Sequence, residues 1–357
     1  MSRIKSYIRC RPVNERERRS NDPKVVKCNE ATIQLHRTEF AADKIFGADS
    51  TQKEVYSAVA EPVEKDLIQG YNCVLFCYGQ TGTGKTYTME GDLTSPVHCG
   101  LIPRMCKSIF ERLKAKEQDF SVKISAVELY NERFFECLED EDKRSATKVI
   151  KVIDGDLQNA AQPLVESSLD VLRLLRKAQQ SRKVSATKMN KVSSRSHFIF
   201  IMTVRMKQVK SSEGDEVKIG KLFLVDLAGS ECIGKSGASG LRAREAKNIN
   251  KSNEALKRVI EALVSNASHI PYRDSRLTQL LQPALGGSAK TAIIGTISPA
   301  KSAVSETKST LHYICMASKI KNQPKLNTNM TNNQALKHLV VYIIIIIIII
   351  IIIIIKC

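Results

Sequence analysis

With 357 residues, 43% of them apolar, the chain is long enough for one large domain or two small ones and can bury a real core, which excludes a disordered or fibrous protein. Fifty-five Lys and Arg against 37 Asp and Glu leave a net charge of +18, a surface that attracts a polyanion: nucleic acid, an anionic membrane face or the acidic surface of a cytoskeletal polymer. Aromatic residues make up 5% and Trp is absent, too few for base-stacking platforms on single-stranded nucleic acid, and charge alone does not choose among the three.

Taken in order, buried-strand patterns recur at residues 4–10, 72–78, 122–129, 198–206, 222–226 and 292–297. Near-continuous apolar runs of this kind suit a sheet covered on both faces. Ten cysteines are scattered without zinc-ligand spacing; Cys73 and Cys77, four apart in one strand, share a face and read as core. No signal peptide is recognised, and a reducing compartment is expected. Helical periodicity is clearest in the stripe Ile249, Leu256, Val259, Ile260, Leu263 and Val264. Strands and helices alternate from residue 3 to about 322 without a long linker, so one α/β domain is expected. Residues 323–334 are amide-rich and read as a linker or frayed tail, with 328–342 as a polar tail. Thirteen isoleucines follow at 343–355, and with 339–342 they would span about 25 Å as a helix, the lower limit for crossing a bilayer. Membrane attachment is expected only if that homopolymer is a true anchor; left in water it is a β-aggregation hazard.

Three segments carry chemistry. Gly79-Gln80-Thr81-Gly82-Thr83-Gly84-Lys85-Thr86 follows an apolar strand and is a complete phosphate-binding loop. Its glycines turn backbone N–H groups toward a β-phosphate, Lys85 supplies a cation to the β/γ oxygens, and Thr86 offers a hydroxyl to Mg²⁺. Asp226-Leu227-Ala228-Gly229-Ser230-Glu231 follows a second apolar run, placing a carboxylate where it can hold Mg²⁺ through water and a glycine N–H where it can meet a γ-phosphate. The third, residues 189–197, crowds hydroxyls, an amide and a guanidinium before another strand; with the other two it can complete the Mg²⁺ shell and supply a cation for Glu231. A loop held by the γ-phosphate and freed after hydrolysis is a switch.

The ordered set RCRP at 9–12, GQTGTGKT at 79–86, NKVSSRSH at 190–197, DLAGSE at 226–231, AKNINKS at 246–252 and PYRDSRLT at 271–278 resembles the kinesin motor domain, most nearly that of the bipolar mitotic (BimC-type) kinesins. The resemblance covers residues 3 to about 327. It implies a P-loop NTPase-like fold, a central, mostly parallel twisted sheet with helices on both faces, and a microtubule-stimulated ATPase moving toward the plus end. ATP and Mg²⁺ are the implied cofactors and microtubules the implied partner, with no nucleic acid expected, on the cytoskeleton and the spindle. By resemblance Arg9, Arg11, Pro12 and Tyr87 line the base side, Pro12 and Tyr87 stacking on adenine. Ser194 completes the Mg²⁺ shell, Asn190 and Ser193 reach the γ-phosphate, Gly229 senses it, and Arg195 pairs with Glu231 to order the attacking water. Lys251, Lys257, Arg258, His269, Tyr272, Arg273 and Arg276 are the expected filament contacts, and residues 318–327 resemble a neck linker.

The chain also departs from the family pattern. Asn253 stands where Leu is usual, Lys257 where Gly is usual, and Pro283 replaces an acidic residue, which is expected to end or bend its helix before Gly286-Gly287. Only Met1 and Ser2 precede the first strand, so a cover strand against the neck linker is expected to be nearly missing. The loop at 92–100 is short for a BimC-type motor. With no heptad stalk after 327, a monomeric head is expected, an oligomer requiring a stalk from elsewhere. Asn253, the nearly missing cover strand and the absent stalk favour an alternative, a nucleotide-regulated microtubule attachment or end-destabilising protein that hydrolyses ATP without stepping.

Overall fold

The computed structural model describes residues 1–116, 119–139, 149–188, 194–210, 214–231 and 241–331. A ten-stranded mixed sheet forms its centre. Eight strands make the main path: β1 (Lys5–Cys10), β2 (Lys44–Phe46), β3 (Cys73–Tyr78), β4 (Asp119–Tyr130), β5 (Leu164–Val165), β6 (His197–Lys210), β7 (Gly214–Asp226) and β8 (Lys290–Ile297). Their spatial order is β5-β4-β6-β7-β3-β8-β1-β2. Neighbours run parallel from β7 to β2 and antiparallel from β5 to β7. The parallel half carries the phosphate loop. The antiparallel half follows from the hairpin joining β6 to β7, whose ends Lys210 and Gly214 pair directly, too short a connection for a parallel crossover.

All six expected strands lie in this sheet. Two outrun their apolar cores, because β6 and β7 continue as a ribbon in which Lys207, Glu216 and Lys218 alternate with the buried Met206 and Val217.

Seven helices position the rest: α1 (Glu61–Gln69), α2 (Lys85–Met89), α3 (Leu101–Lys114), α4 (Ser168–Lys188), α5 (Leu241–Val264), α6 (Arg276–Leu280) and α7 (Val304–Ala317). The alternation of β3 shows how they are layered. Cys73, Leu75 and Cys77 enter one apolar cluster with Leu67 of α1, Ile109 of α3 and Leu175 of α4. Phe76 and its neighbour Val74 enter the other, with Leu256 of α5, Leu277 of α6 and Leu311 of α7. A fully buried strand with both faces covered explains the unbroken apolar run, each such side chain contributing roughly 1.5–3 kcal/mol. The stripe on α5 is core as expected: Leu256, Val259 and Ile260 are fully buried, with Leu263 and Val264 packed beside them. The side chain of Ile249 and the isoleucine run lie outside the described residues, and none of the described helices is long and apolar enough to cross a membrane.

Two expectations change beyond α7. The stretch read as a linker is instead laid along the sheet: Gln323 N–H donates to Gly287, Lys325 N–H to Ser288, and Thr328–Thr331 pairs antiparallel with residues 215–218 of β7. The reason is geometric. Only residues 222–226 of β7 are covered by β3, so its outer half leaves backbone donors and acceptors that this segment satisfies. At the other end, Ser2–Arg3 pairs antiparallel with Lys321–Asn322, so the few residues before β1 do form a cover ladder, two pairs long.

Pro283 acts as expected. Helix α6 ends at Leu280, and the proline sits in the following 3₁₀ turn, Gln282–Ala284. Its ring packs on Gly155, in the left-handed turn (φ 74°) between Lys151–Ile153 and Asp156–Gln158; a Cβ on Gly155 would lie 2.3 Å from the proline Cγ.

Candidate functional site: a nucleotide cleft at the ends of β3 and β7

Strand β3 ends at Tyr78 and the chain must fold back within six residues to begin α2 at Lys85. Gly79 makes this possible by lying against β8, where a Cβ would stand 2.2 Å from the Thr296 carbonyl oxygen. Gly84 closes the loop with φ 102°, a left-handed conformation that glycine adopts freely. Thr83 pins the turn, donating to the Gln80 carbonyl at 2.7 Å and meeting the Thr296 hydroxyl at 2.7 Å. The buried Lys85 ammonium donates to the carbonyls of Gly79 (2.8 Å) and Gln80 (3.1 Å). Burial lowers its pKa, while Asp226 and Glu231 oppose that shift.

Thr86 opens toward β7. Its hydroxyl donates to Asp226 Oδ2 at 2.5 Å, and Asp226 Oδ1 is buried with no partner. Burial raises the carboxyl's pKa, offset by Arg182 and Lys85. An orphaned carboxylate oxygen beside a threonine hydroxyl is a hard-oxygen donor set that suits Mg²⁺. Thr81, Gly82, Ser194 and Gly229 complete the walls of this cavity of about 270 Å³.

A second cavity of about 360 Å³ adjoins it through Gly84 and Tyr87 and is lined by Arg9, Arg11 and Pro12. Arg9 is buried and committed to Gln52 (2.7 Å), Thr88 (3.0 Å) and the face of Tyr87 (5.2 Å to the ring centre). It shapes the pocket wall. Arg11 donates to the Gly82 carbonyl at 2.8 Å and forks onto Glu17 at 2.7 and 2.5 Å. That hydrogen-bonded pair holds the Glu17 carboxyl down at about 2. Pro12 and the Tyr87 ring, 43% accessible, are left exposed at the cavity edge.

The loop after β7 is knitted to the other two stretches. Gly229 N–H donates to Ser194 C=O at 3.0 Å, and Ser230 N–H to Gly79 C=O at 3.1 Å. Glu231 accepts from Thr81 N–H at 2.8 Å and from the Thr81 hydroxyl. The half-buried Arg195 follows Ser194 directly. Asn190 and Ser193 lie outside the described residues, so their expected reach to the phosphate stays an expectation.

Helix α5 grips this loop from the far side. Ala228 N–H donates to His197 Nδ1 at 3.0 Å, so the ring proton sits on Nε2 and donates to Ser252 Oγ at 2.8 Å. Asn253, standing where Leu is usual, donates to the Gly229 carbonyl at 2.7 Å, while its Oδ1 has no partner.

On the outer surface Lys251, Lys257, Arg258, His269, Arg273 and Arg276 are all exposed. Lys257 lies 3.8 Å from Glu261 and Arg258 2.9 Å from Asp274, pairs that contribute little in water. Tyr272 is turned inward, its hydroxyl donating to the Leu285 carbonyl at 2.5 Å.

Sequence reasoning missed Glu17, Gln52 and the His197–Ser252 link. A signal for the first was present, since Asn14 and Glu17 stand in capping-box spacing and form that box at the helix Glu15–Arg19. The others are long-range contacts with no local signature.

The kinesin motor-domain model matches residues 9–320. The chain is 42% identical to the kinesin-like protein KIN-5D of Arabidopsis thaliana, 43% to KIN-5A of Oryza sativa subsp. japonica and 41% to KIF11-A of Xenopus laevis, in each case over 94% of its own length. It spans about a third of the length of these relatives, 34–35%. The solved structure of a fast kinesin superposes with a TM-score of 0.85 at 37% identity, over 92% of this chain and 95% of that one. On the phosphate loop, the two loops that meet it and these matches, the chain belongs to the kinesin motor-domain family.

Proposed function

We propose that this chain is the ATP-hydrolysing head of a microtubule motor, stimulated by the filament and moving toward its plus end. The observation that carries the reading is the convergence of Thr81, Lys85 and Thr86 of the phosphate loop, Ser194, and Asp226 and Gly229 on one cavity, with Gly229 tied to α5, the helix that also bears exposed Lys251, Lys257 and Arg258. Arg9, Arg11, Pro12 and Tyr87 take the base side, and the loop from Gly79 to Lys85 cradles the phosphates. Thr86, Ser194 and Asp226 would hold Mg²⁺, which neutralises phosphate charge. Asn190 and Ser193 approach the γ-phosphate, and Gly229 N–H exchanges its Ser194 acceptor for a phosphate oxygen. Glu231 then leaves Thr81 for Arg195 and orders the attacking water. Catalysis of this kind is positioning plus charge stabilisation.

Residues 318–327 act as the neck linker, in the docked arrangement, with Asn327 Nδ2 donating to Asn72 Oδ1 at 2.9 Å and to the carbonyls of Gly70 and Ile219 at 3.2 Å. ATPase measured at low ionic strength with Mg²⁺, with and without polymerised tubulin, tests the reading; an unstimulated rate refutes it. A second reading is attachment without stepping. Immobilised protein that holds microtubules still in ATP would select it, whereas gliding selects the motor.

A further inference from the structure

The loop after β7 is clamped by two neighbouring side chains of α5 at two neighbouring residues. Ser252 reaches the Ala228 N–H through His197, and Asn253 Nδ2 takes the Gly229 carbonyl at 2.7 Å. The Gly229 N–H is held from the opposite side by Ser194 at 3.0 Å. Gly229 therefore has both backbone polar groups engaged, one by the phosphate side of the site and one by the filament-side helix. Any larger residue would be crowded there: a Cβ would lie 2.3 Å from Thr81 Oγ1 and 2.5 Å from the Glu231 carboxylate.

Asn253 is an unusual tenant for its position. It lies on the buried face of α5 between Ser252 and the core residues Ala255 and Leu256, with 8% of its surface accessible. Its Oδ1 is enclosed and has no hydrogen-bond partner. A buried amide that uses its donor and strands its acceptor is not at its best arrangement, because an unmade bond in a dry site costs free energy. A rotation of the loop that presents a backbone N–H to this face would satisfy the oxygen. The amide thus has a use for the loop in either state, which an apolar side chain of the same size has not.

We propose that Asn253 is a positioning residue that makes α5 follow the Gly229 peptide, so that its side-chain amide, beside the Ser252–His197 link to Ala228, carries gain or loss of the terminal phosphate to the filament-facing surface. The inference rests on the motor reading above. Its direct signature is the ratio of microtubule dissociation constants in ADP and in a non-hydrolysable ATP analogue, since a residue that merely supports the fold shifts both constants together.

The test uses the full chain, the wild type beside Asn253→Leu, which keeps the branched heavy-atom skeleton and removes the donor, and Asn253→Asp, which keeps shape and replaces the donor with a carboxylate. Co-sedimentation in the two nucleotide states should give a ratio lowered about five- to tenfold in both variants, the size of effect expected for one buried hydrogen bond. Melting temperatures identify any variant that fails to fold, and Asn253→Asp keeps the test available should the leucine disturb packing. Equal weakening in both states, or an unchanged ratio in both variants, overturns the proposal. A wild type that does not bind microtubules overturns the motor reading beneath it as well, and is recognised by the absence of any ratio to compare.

Discussion

The Thr86 hydroxyl donates to Asp226 Oδ2 at 2.5 Å, and that single bond joins the first turn of α2 to the end of β7 while leaving Asp226 Oδ1 bare inside the cleft. Two oxygens, one from the helix that follows β3 and one from the end of β7, thereby lie side by side in the cleft. Asp226→Asn keeps the shape and removes the carboxylate's negative charge. We expect ATPase to fall at least 100-fold, about 2.7 kcal/mol of transition-state stabilisation, with a rise in the Mg²⁺ concentration needed for half-maximal rate. Mg²⁺ titration of both proteins checks this; an unaltered midpoint would remove Asp226 from the metal site.

His197 supplies a pH signature. Its Nδ1 is occupied by the Ala228 N–H, and burial holds its pKa at about 3, against 6.5 in an exposed chain. Between those values the unfolded chain binds a proton that the folded protein refuses. Stability from this group is therefore present above pH 6.5 and lost as pH falls toward 3, by at most ~1.4 kcal/mol per unit. In His197→Gln the fall in urea-unfolding free energy from pH 7 to pH 5 should shrink by about 2 kcal/mol. Equal pH slopes in the two proteins would contradict this.

The docked segment depends on Asn327, which spends its side-chain amide on three acceptors near Gly70 and β7. Asn327→Ala should cost roughly 1–3 kcal/mol of docking free energy while leaving global unfolding almost unchanged. Limited proteolysis at Lys325 is the readout. Cleavage should accelerate at least fivefold, and protection equal to the wild type would show that the backbone ladders alone hold the segment.

Gly155 and Pro283 form a matched pair. Gly155→Ala brings a methyl group to 2.3 Å from the proline ring and imposes a left-handed φ on a residue with a Cβ. We expect about 2 kcal/mol of destabilisation, reduced but not abolished when Pro283→Ala is added, because only the clash and not the backbone strain is relieved. Strict additivity in thermal or urea denaturation would mean that the two do not touch in solution.

What was legible in the sequence follows from range. The six strands and the stripe on α5 are periodic signals that a window of ten residues contains, and the phosphate loop carries its own chemistry in eight consecutive residues. Arg11, by contrast, was read as a wall of the base pocket, but its fork onto Glu17 needs the capping box of a neighbouring short helix to place the carboxylate. The turn of Tyr272 away from the surface depends on the Leu285 carbonyl, thirteen residues on. The pairing of Thr328–Thr331 could not be read from its amide-rich composition, because what orders it is the uncovered half of β7 and not any property of its own residues.

That uncovered half would carry a cost were Thr328–Thr331 to lift away. Residues 215–218 of β7 would then present a bare ribbon of amides to solvent, the template on which chains join edge to edge into insoluble assemblies. Glu216 and Lys218, 3.6 Å apart at their charged ends, stand on that ribbon, and charges at such a position guard an edge against sticking to its neighbours.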